Sequence, residues 1–221
     1  SYVLSQGDQA WKLNTELSDV VAGVSQAVER EVRTVVKSFG RLTNDDLLDY
    51  VYQRYPAFTV NSERQKLAPR PKAEVAVYTA GYEGLSIDGF LNLLISSGIE
   101  RLIDVRSNPT ARRYGFHKST LNRLSNRLEI EYRHFAELGI QSEVRQLFPA
   151  DCDRGMMFDE YEVVTLTRES AAVRDVAKLV SERPSVLVCM EAEPSCCHRS
   201  RLANPVSELT GLPIIHLRPT P

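Results

Sequence analysis

The chain has 221 residues, of which 43% are hydrophobic and 25% charged. That composition is ordinary for one large or two small globular domains and excludes a disordered or fibrous chain. No apolar run approaches the roughly 18 residues of a membrane-spanning helix, and the opening residues lack the basic start and apolar block of a secretory signal.

The formal net charge of −2 argues against a protein that coats polyanions over its whole surface. The average conceals a polarity along the chain. Residues 101–133 hold eight Lys and Arg against three Asp and Glu, whereas residues 134–182 hold five against ten. A basic segment beside an acidic one forms a local anion site without changing the total. Cys196 and Cys197 are adjacent, a poor basis for a disulfide framework, and a chain of this length buries a core without one. A reducing, cytoplasmic setting is expected.

Residues 10–39 read as a helix. Leu13, Leu17, Val20, Val24, Val28, Val32, Val35 and Phe39 recur every three or four positions, with Gly40 as the stop. Thr43 and Asp46 have the spacing of a capping box. They open a second helix over 44–55, which Pro56 ends. Residues 58–60 read as a short strand. The polar stretch 62–73, with Pro69 and Pro71, reads as a linker. Residues 1–61 are therefore expected to form a small helical domain that dimerises or docks a partner. A winged-helix-like DNA reader is the alternative, against which the equal count of nine basic and nine acidic residues over 1–70 weighs.

From residue 74 the pattern changes. Strands are expected at 75–79, 102–105, 130–135, 186–190 and 214–217. Helices are expected at 87–97, with Ser86 as cap, and at 117–128, 161–182 and 198–209, the last interrupted by Pro205. Alternating strands and helices imply crossover connections. The expected fold class is α/β: a mainly parallel, Rossmann-like sheet covered by helices and preceded by the helical N-terminal domain.

In open α/β sheets, ligands bind beyond the carboxyl ends of the strands. That rule selects Tyr82 after the first strand, and Asp104, Arg106, Arg112 and Arg113 after the second. It selects Glu191, Cys197, His198 and Arg199 after the strand at 186–190. Arginines recognise phosphate or carboxylate bidentately, and a helix starting at 198 would present an anion-friendly N-terminus. Tyr114 and Phe116 interrupt the arginine run and suit stacking on nucleobases. The same helix start would lower the Cys197 thiol pKa and make it nucleophilic; small thiols often pack as hydrophobes, however, and a structural or site-lining Cys197 is the favoured reading. His198 is its neighbour, and neighbours on a helix point apart, so His198 need not be its base. Asp104 and Glu191 read as an acid/base pair or as carboxylates that orient the arginines; a structural Asp–Arg or Glu–Arg ion pair is the alternative. Cys189, inside an apolar strand, reads as core. No metal site is expected, because Cys196, Cys197 and His198 are consecutive and lack the spacing that lets one loop wrap an ion. No dinucleotide, P-loop or G-x-S-x-G fingerprint occurs, and no cofactor is implied.

The segment YTAGYEGLSIDGFLNLLISSGIERLIDVRSNPTARRYGF, followed by EYRHFAELG and then by LVCMEAEPSCCHRSRLA, resembles domain-of-unknown-function family 488 over roughly residues 74–218. The specific pieces are DVRSNP, ELG at 137–139 and the CHR triplet at 197–199. The resemblance implies a compact α/β domain and suggests that Asp104, Arg106, Glu191, Cys197, His198 and Arg199 share one site. It carries no activity. Cys196 before the triplet is not part of the expected pattern, and the N-terminal residues lie outside the resemblance.

The leading expectation is a cytoplasmic protein that binds, or binds and processes, nucleic acid or another phosphate-bearing ligand through Arg106, Arg112, Arg113 and Arg199. Its N-terminal helices would form a homodimer, and no membrane is involved. One alternative is an enzyme using the Cys197 thiolate on a small anionic substrate. Another is a non-catalytic, ligand-sensing regulatory module.

Overall fold

The computed structural model describes residues 4–7, 10–13, 25–55, 59, 62, 70–110, 113–147 and 154–219. The chain divides into two compact units, Ser1–Arg54 and Tyr55–Pro221.

The first unit holds an antiparallel hairpin of β1 (Leu4–Gly7) and β2 (Ala10–Leu13), then helices α1 (Gln26–Phe39) and α2 (Asn44–Arg54). The expected helix over 10–39 is thus corrected at its start. Trp11 and Leu13 sit at strand period, which the wider three-to-four spacing concealed. Ser25 opens α1 by accepting from the Val28 N–H. The capping box of α2 forms reciprocally: the Asp46 N–H donates to Thr43 Oγ1, and the Thr43 N–H donates to Asp46 Oδ2, both at 3.1 Å. Of the strand expected over 58–60 only Thr59 is described, and it is buried in a 3-10 turn; most of the expected linker lies outside the described residues.

The second unit is built on five parallel strands: β3 (Val77–Gly81), β4 (Arg101–Asp104), β5 (Glu131–His134), β6 (Ser185–Cys189) and β7 (Ile214–His216). Their order across the sheet is β5-β4-β6-β3-β7, and every neighbouring pair is parallel. The α/β class is therefore as expected. Helices cover both faces. Helix α3 (Ile87–Ser96), capped by Ser86, and α4 (Lys118–Arg127) pack on one side. There Tyr78, Ala80, Leu102, Val186 and Val188 meet Phe90, Leu94 and Leu121. On the other side Val77, Ile103 and Leu187 meet Val173, Val176 and Val180 of α7 (Ser170–Glu182) and Leu202 and Val206 of α8 (His198–Thr210). Between them run two short helices, α5 (Ser142–Leu147) and α6 (Arg154–Glu160). The expected single helix over 161–182 instead starts as a π-helical segment, Tyr161–Leu166, that continues α6 before α7 begins. Pro205 lies within α8.

The topology selects one crevice. From β4 the chain moves outward to β5, and from β6 it moves the opposite way, across β3, to β7. The neighbouring ends of β4 and β6 are therefore where the connections diverge, the usual ligand position in such sheets. The pairing runs on past the strands: the Val105 N–H donates to the Val188 carbonyl, and the Glu83 N–H to that of Met190. The loops at these ends are consequently held in fixed positions.

Candidate functional site

At the end of β4 the chain stays extended, so Asp104 and Arg106, two residues apart, point to the same side. Both are buried, and they form a bidentate pair, with Arg106 Nε 2.8 Å from Asp104 Oδ1 and Nη2 2.5 Å from Oδ2. Arg106 Nη1 donates to the Tyr82 hydroxyl and to the Phe116 carbonyl, both at 3.0 Å. The Tyr132 hydroxyl donates to Asp104 Oδ2 at 2.6 Å. Burial alone would lower the Arg106 pKa, but the Asp104 carboxylate outweighs it and holds the guanidinium above its ordinary value. Burial and the Asp104 charge push the Tyr132 phenol up. Tyr82 stacks on Phe116 with ring centroids 4.1 Å apart.

This arrangement corrects the part expected of Arg106 and Tyr82. Their polar groups are spent on one another, on Asp104 and on the loop backbone, rather than presented to a ligand. Asp104 acts as an orienting carboxylate. Arg199 is likewise turned inward: it is 1% exposed, and its Nη1 and Nη2 donate to the carbonyls of Glu191 and Ala192 at 2.5 and 2.9 Å. It fastens the loop after β6. Arg112 lies outside the described residues. Arg113 is exposed, with its guanidinium carbon 6.0 Å from the Phe116 ring centroid.

At the end of β6 a second cluster forms. Cys189, the last residue of the strand, faces α8, and Cys197 immediately precedes that helix. The Cys189 and Cys197 sulfurs and a ring nitrogen of His198 all lie within 4.8 Å of one another, and the three residues are buried. Cys189 Sγ is 3.7 Å from His198 Nδ1 and 3.2 Å from Glu191 Oε2. His198 Nε2 is 3.0 Å from the Val105 carbonyl oxygen. A carbonyl only accepts, so Nε2 carries a proton, and Nδ1 is the ring nitrogen that faces the sulfurs. Burial pushes the Cys197 thiol up, and a hydrogen bond with Cys189 adds to that; His198 opposes the shift without reversing it. The alternative of a reactive Cys197 thiolate therefore gains no support, since its surroundings favour the thiol. Burial works to raise Glu191 too, but hydrogen bonds from Cys197, its own backbone and Cys189 hold its carboxyl below the usual value.

Two expectations change here. Cys197 is extended rather than helical, with φ −139° and ψ 138°, so His198 meets it instead of pointing away. Cys189, read as core, is both core and site. The signal was present in the spacing, since residues two apart at a strand end share a side, as Cys189 and Glu191 do. The loop between them and α8 is tightly held. The Ala192 N–H donates to Glu83 Oε2 at 2.9 Å, and Ser200 Oγ donates to the Pro194 and Cys197 carbonyls. A Cβ on Gly81 would collide with the Glu191 carbonyl, so glycine there permits the close approach of this loop to β3.

The outer surface near β4 is basic. Lys118, Arg123 and Arg127 of α4 are exposed, and that helix contains no acidic residue. His117 occupies its N-cap without a side-chain cap. Tyr114, beside Arg113, is 82% exposed.

A family model described as Domain of unknown function DUF488 matches residues 86–206. The match includes both clusters apart from Tyr82. No curated protein and no solved structure matches the chain.

Proposed function

The chain belongs to the DUF488 family, a domain of unknown function, and we propose that it is a cytoplasmic protein that binds a phosphate-bearing ligand, nucleic acid foremost. The observation that carries this reading is the surface of α4 and the loop before it. Lys118, Arg123 and Arg127 stand exposed on a helix without acidic residues, next to exposed Arg113 and Tyr114. Exposed cations give phosphate affinity, and an exposed aromatic offers a stacking platform. In this reading Asp104, Arg106 and Tyr82 are positioning residues. Through the Phe116 carbonyl, Arg106 fixes the base of the loop that carries Arg113 and Tyr114. Among the described residues, no helix is long and apolar enough to cross a membrane.

Self-association of two copies belongs to the same proposal. Helix α1 buries none of its residues, and Val28, Val32, Val35 and Val36 lie exposed along one stripe. Sedimentation of the full chain against Val32→Lys checks this. A dimer that dissociates in the variant supports it, and a wild-type monomer rejects it.

The ligand is tested with labelled single- and double-stranded DNA and RNA at two salt concentrations. Wild type is compared with Arg113→Ala/Lys118→Ala. The reading predicts that affinity falls steeply with salt and that the variant loses about 0.7–0.9 in the log–log slope for each phosphate contact removed. Absent or salt-independent binding, or a variant that binds as wild type does, rejects it.

A further inference from the structure

We propose that Cys189, Cys197 and His198, with the Glu191 carboxylate beside them, form a binding site for a zinc-like divalent metal ion. Two sulfurs and one imidazole nitrogen converge from the end of β6 and the start of α8. Thiolate and imidazole ligands suit zinc among the divalent ions.

The distances fit. Zinc bonds of about 2.3 Å to sulfur and about 2.0–2.1 Å to nitrogen, at tetrahedral angles, place S and N about 3.6 Å apart. Cys189 Sγ and His198 Nδ1 are 3.7 Å apart. Glu191 Oε2 lies 3.2 Å from the same sulfur but outside the set of three donors that converge within 4.8 Å, which leaves the fourth vertex to a water or to Glu191 once its half-buried side chain turns inward.

The outer contacts also fit. A metal-bound histidine ordinarily donates its other ring N–H to a carbonyl or carboxylate, which fixes the tautomer and aims the lone pair. His198 does this, with Nε2 against the Val105 carbonyl at the end of β4. The loop that carries Glu191 is fastened by Arg199 and Glu83. The donors are thus held in place before any ion arrives.

A thiol that ligates a divalent cation does so as the thiolate and passes its proton to solvent, so two such ligands offset the charge of the ion. No metal site was expected from the consecutive residues 196–198, with His216 and Cys152 as the distant ligands considered; the site proposed here takes its second thiol from the strand, at Cys189.

The test uses the full chain, stripped with a chelator under reductant and titrated with Co(II), then with Zn(II). The proposal predicts one cobalt per chain, tetrahedral ligand-field bands and a thiolate-to-cobalt charge-transfer band, all removed by zinc. It predicts release of about two protons per zinc and a rise in the melting temperature of the stripped protein. Cys189→Ser and Cys197→Ser should each weaken binding more than about tenfold and change the charge-transfer band. Cys196→Ser, exposed and outside the cluster, should bind as wild type does. If the serine variants fail to fold, proton release and the melting shift of wild type decide the question. The proposal is overturned by cobalt bound without a thiolate band, by zinc uptake without proton release, or by binding that depends on Cys196. A Cys189–Cys197 disulfide protein that takes no metal even after reduction also overturns it.

Discussion

Two buried polar clusters sit side by side at the carboxyl edge of the same sheet, and they differ in whether their protons can leave. At the end of β4, Asp104 is held by Arg106 and Tyr132. The guanidinium never gives up a proton under ordinary conditions, so no cation can take its place. That cluster is closed. At the end of β6, Cys189 Sγ lies against Glu191 Oε2 and His198 Nδ1, and a metal ion can replace thiol protons. That cluster is open to exchange. Burial and polarity are alike in the two. What separates a structural staple from a site is the chemistry of the donor.

The largest expected effect breaks the closed cluster. Asp104→Ala leaves the Arg106 guanidinium buried without its carboxylate and should cost about 3–5 kcal/mol in urea denaturation. Asp104→Leu/Arg106→Met sharpens the point, because removing both charges should cost less than removing either one. A double variant as unstable as the sum of its singles would show that the pair does not act as a unit.

Tyr132→Phe should come next, at about 1.5–3 kcal/mol near neutral pH, since it removes a hydrogen bond to a buried charge. Its pH dependence has a definite sign. The folded state holds the Tyr132 phenol above its ordinary pKa of 10.0. The stabilisation of its protonated form is therefore complete below about pH 10 and is lost as pH rises above that through the folded value. The stability gap between wild type and Tyr132→Phe should narrow above about pH 10, and a gap that widens there would contradict the assignment.

Gly81→Ala tests the open cluster through its frame. The added Cβ meets the Glu191 carbonyl, so the loop must shift, at about 1–3 kcal/mol and with weakened cobalt binding. Unaltered cobalt affinity would separate the loop from the site. The smallest effect belongs to Cys196→Ser, an exposed change expected within about 0.5 kcal/mol.

Much of this was legible in the sequence because it is local. The Ser86 cap, the reciprocal Thr43 and Asp46 contacts and the five parallel strands follow from spacing and residue type. The strand-end rule brought Asp104, Arg106, Glu191, Cys197 and His198 to the β4 and β6 ends. Direction was harder to read. Arg106 and Arg199 look like ligand-facing cations in sequence, yet both turn inward. Arg106 is taken up by Asp104 and Tyr82 as well as by the Phe116 carbonyl, whereas Arg199 is held by the Glu191 and Ala192 carbonyls, and no pattern of residue types specifies a backbone carbonyl as partner. Cys189 was hidden by its apolar strand, since one residue at a strand end serves the core and a site together. The N-terminal hairpin was hidden by a run of valines and leucines whose spacing favours a helix farther along the chain.

The most direct measurement is zinc K-edge X-ray absorption on the full chain loaded with one equivalent of zinc. A first shell with two sulfurs at about 2.3 Å and nitrogen or oxygen neighbours at about 2.0–2.1 Å is the predicted result. A shell of nitrogen and oxygen alone would contradict the assignment of the β6 cluster and leave it as packed thiols.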